Sequence, residues 1–305
     1  MIRIGTRDSK LAVWQAQMVA DALKSSGQES ELVYVKTEGD LVLDTPLPLM
    51  GGKGVFTKAL DDALLENRID VAVHSHKDIP TQLPAGLTIA TVFEREDPRD
   101  VFVMRANHPL TPEEFMNPDV ADKAEGTIAT SSMRRQGQWL HRFPQHKTVD
   151  IRGNVQTRLR KLDESDWDGA IFAAAGLLRL GLEDRVSSYL DWMVCAPAQG
   201  AVAVMTREGD TSTIEALKLH HHTETALCVA AERNCLRRLE AGCSAPVGVY
   251  ARRENDEYVL FANVLSPDGK LHLDVELKSD ARGVEELGFQ AADQLLAEGA
   301  SELIG

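Results

Sequence analysis

Apolar residues recur along the first two thirds of the chain in two alternating patterns. Short continuous apolar runs predict strands over residues 3–6, 31–36, 70–74, 87–93, 127–129, 148–151 and 170–173. Helical spacing predicts helices over 9–24, 56–67, 133–142 and 155–162 between them. In the first helix Leu11, Trp14, Met18 and Ala22 share one face; in the second Phe56, Leu60 and Leu64 do. Repeated β-α-β units imply mostly parallel sheets covered on both faces. The polar run Glu96-Asp97-Pro98-Arg99-Asp100 reads as a crossing between two such sheets, and 196–205 as an apolar strand that returns to the first.

The last third changes pattern. A long helix over 224–239 is expected to stop at Gly242, because glycine tolerates the left-handed backbone of a helix end. Three strands follow, over 247–252, 258–265 and 271–278, the last two joined by the turn Ser266-Pro267-Asp268-Gly269. Leu271, Leu273, Val275 and Leu277 alternate with His272, Asp274, Glu276 and Lys278, so one face is buried and one is wet. A helix over 284–296 ends the reading. The fold class expected is therefore α/β: two doubly wound domains plus a small C-terminal α+β domain with a three-stranded antiparallel sheet. The expected limits are 1–95 with 200–217, then 100–195, then 219–305.

Composition narrows the function classes. The chain has 305 residues, 43% hydrophobic and 26% charged, which suits a globular protein of more than one domain. No run is long and apolar enough for a membrane span, and the first residues already read as strand rather than secretory signal. Four cysteines at irregular spacing give neither a disulfide framework nor a zinc pattern, so a reducing cytosol is expected. The net charge of −14 argues against nucleic acid or an anionic membrane as partner. Yet between residues 131 and 161 Arg134, Arg135, Arg142, Lys147, Arg152, Arg158, Arg160 and Lys161 stand against the single acid Asp150. A basic pocket in an acidic protein suits a small polyanion; a solvated basic helix face has the same composition.

Three segments carry candidate chemistry. Thr130-Ser131-Ser132-Met133-Arg134-Arg135 lies where a strand ends and a helix begins, where free N–H groups and the helix dipole favour an anion. The layout recurs in Ile151-Arg152-Gly153-Asn154 with Arg158, and in Gly5-Thr6-Arg7-Asp8-Ser9, although Ser9 alone could be only an N-cap. His74-Ser75-His76-Lys77-Asp78-Ile79-Pro80 leaves an apolar strand; Asp78 could stabilise a cation, or simply pair with Lys77. Cys243 follows a glycine in a tight loop, able to reach a ligand or merely incidental, whereas Cys228 and Cys235 share a helix face and read as core. His74 with His76 lacks a third metal ligand, and His220-His221-His222 on a helix would point in different directions. Gly51-Gly52-Lys53-Gly54 lacks the Ser/Thr of a phosphate loop; residues 45–54 read instead as a lid.

Together these segments resemble the porphobilinogen deaminase family over nearly the full chain. The resemblance also rests on Glu94–Asp100, on Arg152-Gly153-Asn154-Val155-Gln156-Thr157-Arg158, on Ala175-Gly176-Leu177 with Arg179, and on Gln199-Gly200-Ala201. It implies two domains like those of periplasmic binding proteins and a third bearing the cofactor loop. The activity implied is deamination and head-to-tail joining of four porphobilinogen molecules into hydroxymethylbilane, in heme biosynthesis. Cys243 would hold a dipyrromethane cofactor through a thioether, and Asp78 would be the catalytic carboxylate. Lys77, Asp78, Ser132, Arg134 and Arg135 match cofactor-binding positions; Arg7, Ser9, Lys53, Arg152, Arg158, Arg179 and Gln199 match substrate-binding ones. No metal, nucleic acid or membrane partner is implied, and a cytoplasmic monomer is expected. His76 stands where members often carry an apolar residue, Leu49 where some carry lysine, and Ala198 replaces a common glycine. Two lobes around an arginine crevice would also describe a solute-binding module, in which Cys243 has no purpose.

Overall fold

The computed structural model describes residues 1–36, 57–117, 125–242 and 245–304. Lys53, Leu49, the rest of the expected lid, Phe56 and Cys243 lie outside the described residues. β1 (Ile2–Thr6) leads into α1 (Lys10–Ser25), and β2 (Ser30–Tyr34) pairs in parallel with β1. α2 (Lys58–Leu65) precedes β3 (Val71–Ser75), which ends in a 3-10 turn, His76–Asp78, before β4 (Leu87–Val92). The second sheet is built from β5 (Asp100–Met104), β6 (Thr127–Ala129), β7 (Lys147–Val149), β8 (Gly169–Ala173) and β9 (Ser188–Tyr189). Its helices are α3 (Pro112–Phe115), α4 (Met133–Arg142), α5 (Val155–Asp163) and α6 (Ala174–Leu178). β10 (Val202–Arg207) returns to the first sheet and α7 (Thr211–Lys218) follows. α8 (Thr223–Arg238), β11 (Val247–Glu254), β12 (Glu257–Leu265), β13 (His272–Ser279), α9 (Val284–Ala297) and α10 (Ser301–Ile304) complete the chain.

The two larger sheets have the same layout, β2-β1-β3-β10-β4 and β7-β6-β8-β5-β9, and the third is β11-β12-β13, fully antiparallel. In each larger sheet three strands are parallel neighbours, but the fourth in order runs antiparallel to both its neighbours. These two strands, β10 and β5, are the ones the chain reaches by crossing from the other sheet. A chain that leaves one sheet at the crevice enters the next from the crevice end, and so runs against strands that finish there. Apolar side chains cover both faces of the first sheet: Ala16, Val19 and Leu23 of α1 on one, Leu60, Ala63 and Leu64 of α2 on the other. On the second sheet Trp139 and Phe143 pack against Phe102 on one face, and Leu159, Leu162 and Leu177 lie on the other. Cys228 and Cys235 of α8 are buried in the core of the third unit, as expected.

Several local expectations change. The buried face of α1 is Gln15, Ala16, Val19 and Leu23, while Trp14 is exposed beneath the Arg179 guanidinium, 5.5 Å from its ring centre. α8 ends at Arg238, and the left-handed residue that closes it is Glu240 (φ 53°), with Ala241 N–H returning to the Leu236 carbonyl. The three histidines 220–222 lie in the joint between α7 and α8, where His222 caps α8 by accepting from Thr225 N–H. Residues 196–201 are not strand: Ala198 (φ 62°) and Gly200 (φ 86°) are left-handed, and a Cβ on Gly200 would stand 2.5 Å from the Glu96 carbonyl.

Candidate functional site

The ends of β1, β3 and β8, with the loop after β7, open onto one cleft of about 540 Å³ between the two larger sheets. Arg7, Ser9, Lys77, Asp78, Arg135, Arg152, Arg158 and Arg179 all line it, so most of the expected site residues converge. Among the described lining residues Asp78 is the single carboxylate. It lies exposed on the 3-10 turn that ends β3, without a side-chain hydrogen bond to the described residues. Gly153-Asn154 and the first turn of α5 form another wall; Asn154 accepts from Thr157 N–H at 2.9 Å and Gly153 is left-handed (φ 115°). A Cβ on Gly153 would meet Thr157 at 2.7 Å, so glycine is what lets this helix start so close to the cleft. The helix N-terminus adds partial positive charge to the guanidiniums around it.

Burial and mutual repulsion depress several of these cations. Burial, and next the Arg135 guanidinium, bring the Lys77 ammonium down from 10.5 to about 8. Burial, with Arg135 and Arg152 beside it, lowers Arg158 to about 10. Burial lowers Arg179 to about 10 as well, and its buried Nε has no hydrogen-bond partner although Nη2 donates to the Gly200 carbonyl at 2.6 Å. A ligand with several carboxylates would relieve all three, so the chemistry of this donor set fits an acidic dipyrromethane.

Three expected ligands stand elsewhere. Arg134, 3% exposed, does not line the cleft; it donates to Asp100 Oδ2 at 2.6 Å and to the Val194 carbonyl at 2.7 Å. Arg135 reaches the cleft wall but spends Nε and Nη2 on Asp100 Oδ1, at 3.0 and 2.7 Å. Ser132 caps α4 through Arg135 N–H at 3.4 Å, and its neighbour Ser131 lines the cleft instead. Gln199, 1% exposed, is likewise behind the wall: its carbonyl oxygen accepts from Lys77 Nζ at 3.2 Å, and its amide donates to Pro98 O and Asp100 Oδ1 at 2.7 and 3.0 Å. Asp100 was missed by sequence reasoning. Burial alone would raise its carboxyl, but Arg134 and Arg135 outweigh that and hold it well below the usual range. The signal was present: a carboxylate opening the apolar run Asp100-Val101-Phe102-Val103-Met104 must be paired to be buried.

A cleft between two α/β sheets, lined by clustered cations around one carboxylate, defines a protein suited to a small polycarboxylate. The model of "Porphobilinogen deaminase, dipyromethane cofactor binding domain" matches residues 2–215, and that of "Porphobilinogen deaminase, C-terminal domain" matches 226–297. The chain belongs to the porphobilinogen deaminase family. Its reaction is therefore that of hydroxymethylbilane synthase, a transferase of tetrapyrrole biosynthesis working with a dipyrromethane cofactor on porphobilinogen. Among solved structures, the chain is similar to the VFT2 domain of Bordetella pertussis BvgS, in a double mutant, at 16% identity, covering 74% of this chain and 90% of that one with TM-score 0.43. It is also similar to a putative methionine-binding lipoprotein from Bacillus subtilis, at 12% identity, 73% and 91% coverage and TM-score 0.40. Among the described residues no helix is long and apolar enough to cross a membrane, and no three His, Cys, Asp or Glu residues could hold a metal.

Proposed function

We propose that Asp78 is the catalytic carboxylate of this synthase and that Cys243 carries the dipyrromethane through a thioether. The observation that carries the first assignment is the isolation of Asp78 among cations: Lys77 and Arg158 both feel its charge, and it is the one described carboxylate facing the cleft. Arg7, Ser9, Lys77, Arg135, Arg152, Arg158, Arg179 and Lys53 bind the acetate and propionate groups. When bound, the dipyrromethane supplies the pyrrole carbon from which the product chain starts. Loss of ammonia from porphobilinogen leaves a cation spread over the pyrrole ring. Asp78 accepts hydrogen bonds from pyrrole N–H groups and offsets that charge where it develops, so its stabilisation is greatest at the transition state. Arg134 and Gln199 act by holding this wall in place rather than by touching substrate, and Ser132 by starting α4.

The reading includes domain limits of 1–95 with 200–217, 100–195 and 219–305, and a monomer in the cytoplasm. Asp78→Asn tests the catalytic assignment: porphobilinogen affinity is expected to persist while ammonia release falls to a trace, and normal release would sink it. Intact mass under denaturing conditions tests the attachment. Wild type is expected to exceed the sequence mass by two pyrrole units and Cys243→Ser to lack the excess; an excess retained in Cys243→Ser would place the cofactor elsewhere.

A further inference from the structure

The turn that presents Asp78 has unusual support. Its first residue, His76, anchors it to the segment just before β10 by donating N–H to the Ala201 carbonyl at 3.0 Å, and Ile79 beyond it is fully buried. Behind the turn, however, there is a cavity of about 450 Å³ at the seam with α8, lined by His76, Leu83, Ile89, Val92, Ala226 and Arg233 among others. The His76 ring is 3% exposed and neither of its nitrogens has a hydrogen-bond partner, so side-chain bonding does not hold the turn on that side. The guanidinium of Arg233, on α8, reaches it instead. Nη1 donates to the Ile79 carbonyl at 2.9 Å and the His76 carbonyl at 3.4 Å, and Nη2 to the Pro80 carbonyl at 2.6 Å. The three acceptors bracket Lys77 and Asp78 in sequence. A planar, forked cation can satisfy them together; a lysine offers one compact centre in their place.

We propose that Arg233 is a positioning residue for Asp78: from α8 it clamps the carbonyls of His76, Ile79 and Pro80, and so fixes where the carboxylate enters the cleft. The proposal rests on the reading of Asp78 as the catalytic group. Arg233 does not line the cleft, so its loss moves the carboxylate without removing a substrate contact. A displacement on the order of 1 Å is enough to cost about 100-fold in rate.

Holoenzyme carrying Arg233→Leu is expected to lose about 10- to 100-fold in kcat with KM for porphobilinogen within about twofold. Arg233→Lys is expected to recover part of the loss, and remains informative if the leucine variant does not fold or load. The readout that a merely structural residue would not move is a cycle with Asp78→Glu, which keeps a carboxylate but displaces it by a methylene. If Arg233 acts through Asp78, the two kcat penalties fall well short of multiplying. Unchanged kcat in both Arg233 variants, or penalties that multiply, would overturn the proposal. Full turnover by Asp78→Asn would remove the reading beneath it, whereas an inactive Asp78→Asn with normal Arg233 variants would overturn the clamp alone.

Discussion

Lys77 sits between Asp78 on its own turn and Gln199 in the segment before β10, and its surroundings decide when it is charged. Burial and Arg135 outweigh Asp78 and Asp100, leaving the ammonium near 8. A cation that loses its proton there binds substrate carboxylates progressively less above that pH. In cofactor-free protein we expect the rate of self-loading from porphobilinogen to fall above about pH 8, and Lys77→Arg to move that limb upward. An unchanged alkaline limb in Lys77→Arg would show that another group controls it. Asp78 and Arg158 were readable from the chain because strand-end and helix-start motifs place their side chains at a crevice, whereas Arg179 came only from the family resemblance. Arg134 was not, because the sequence shows two adjacent arginines without showing that α4 turns one of them wholly onto Asp100. Ala198 illustrates the same limit: its left-handed φ of 62° is legible only as a departure from the family's glycine.

At the level of elements, α4 was predicted with its observed bounds, and most other helices and strands within a residue or two. Local periodicity and capping suffice there: Ser9, Ser132 and Asn154 each cap the helix that follows. β5, α7 and the short elements α3, α6, β9 and α10 were missed, β5 because its leading aspartate resembled a linker and the short ones because two to five residues carry too little periodicity. α2 carries a consequence of its own. Asp61 is buried on it with Oδ1 unpartnered, and burial, opposed by a hydrogen bond from Thr57, raises its carboxyl to about 6. The folded state thus holds this proton more tightly than the unfolded chain. The stability it contributes is full below the ordinary value of 3.8 and is lost as pH rises through 6. Asp61→Asn is expected to stabilise the protein by about 1–2 kcal/mol at neutral pH and by much less near pH 4.5. Thermal denaturation at both pH values checks this; an equal gain at each would rule it out.

Across the whole molecule, buried polar joints fasten the three units together. Asp100, where the chain enters the second sheet, gathers Arg134, Arg135 and Gln199, and Gln199 passes the connection to Lys77. Glu232 on α8 pairs with Arg95 at 2.6 Å, accepts from Ala198 N–H at 2.6 Å and from Ala251 N–H at 2.8 Å, joining the segments before β5 and β10 to the third sheet. Removing one member of such a cluster strands the others in a dry interior, at a cost of about 3–5 kcal/mol. Asp100→Asn is expected to lower the unfolding midpoint accordingly, while Arg160→Gln, which breaks only the exposed pair with Glu164, should change stability by less than about 0.5 kcal/mol. Equal effects from the two would contradict the joint.

The sequence by itself determined most of the longer elements, the three-part architecture, the anion-seeking strand ends and the family, because each is written in local periodicity or in short ordered motifs. Tertiary structure decided which cations line the cleft and which are paired to Asp100, and why each larger sheet has one antiparallel strand. It also decided what supports the Asp78 turn. The physical reason is range: Arg134 meets Asp100 across 34 residues, Gln199 meets it across 99, and Lys77 reaches Gln199 across 122. Charge pairing depends on distances of a few ångströms, and periodicity reports which face of an element is buried without reporting what it is buried against.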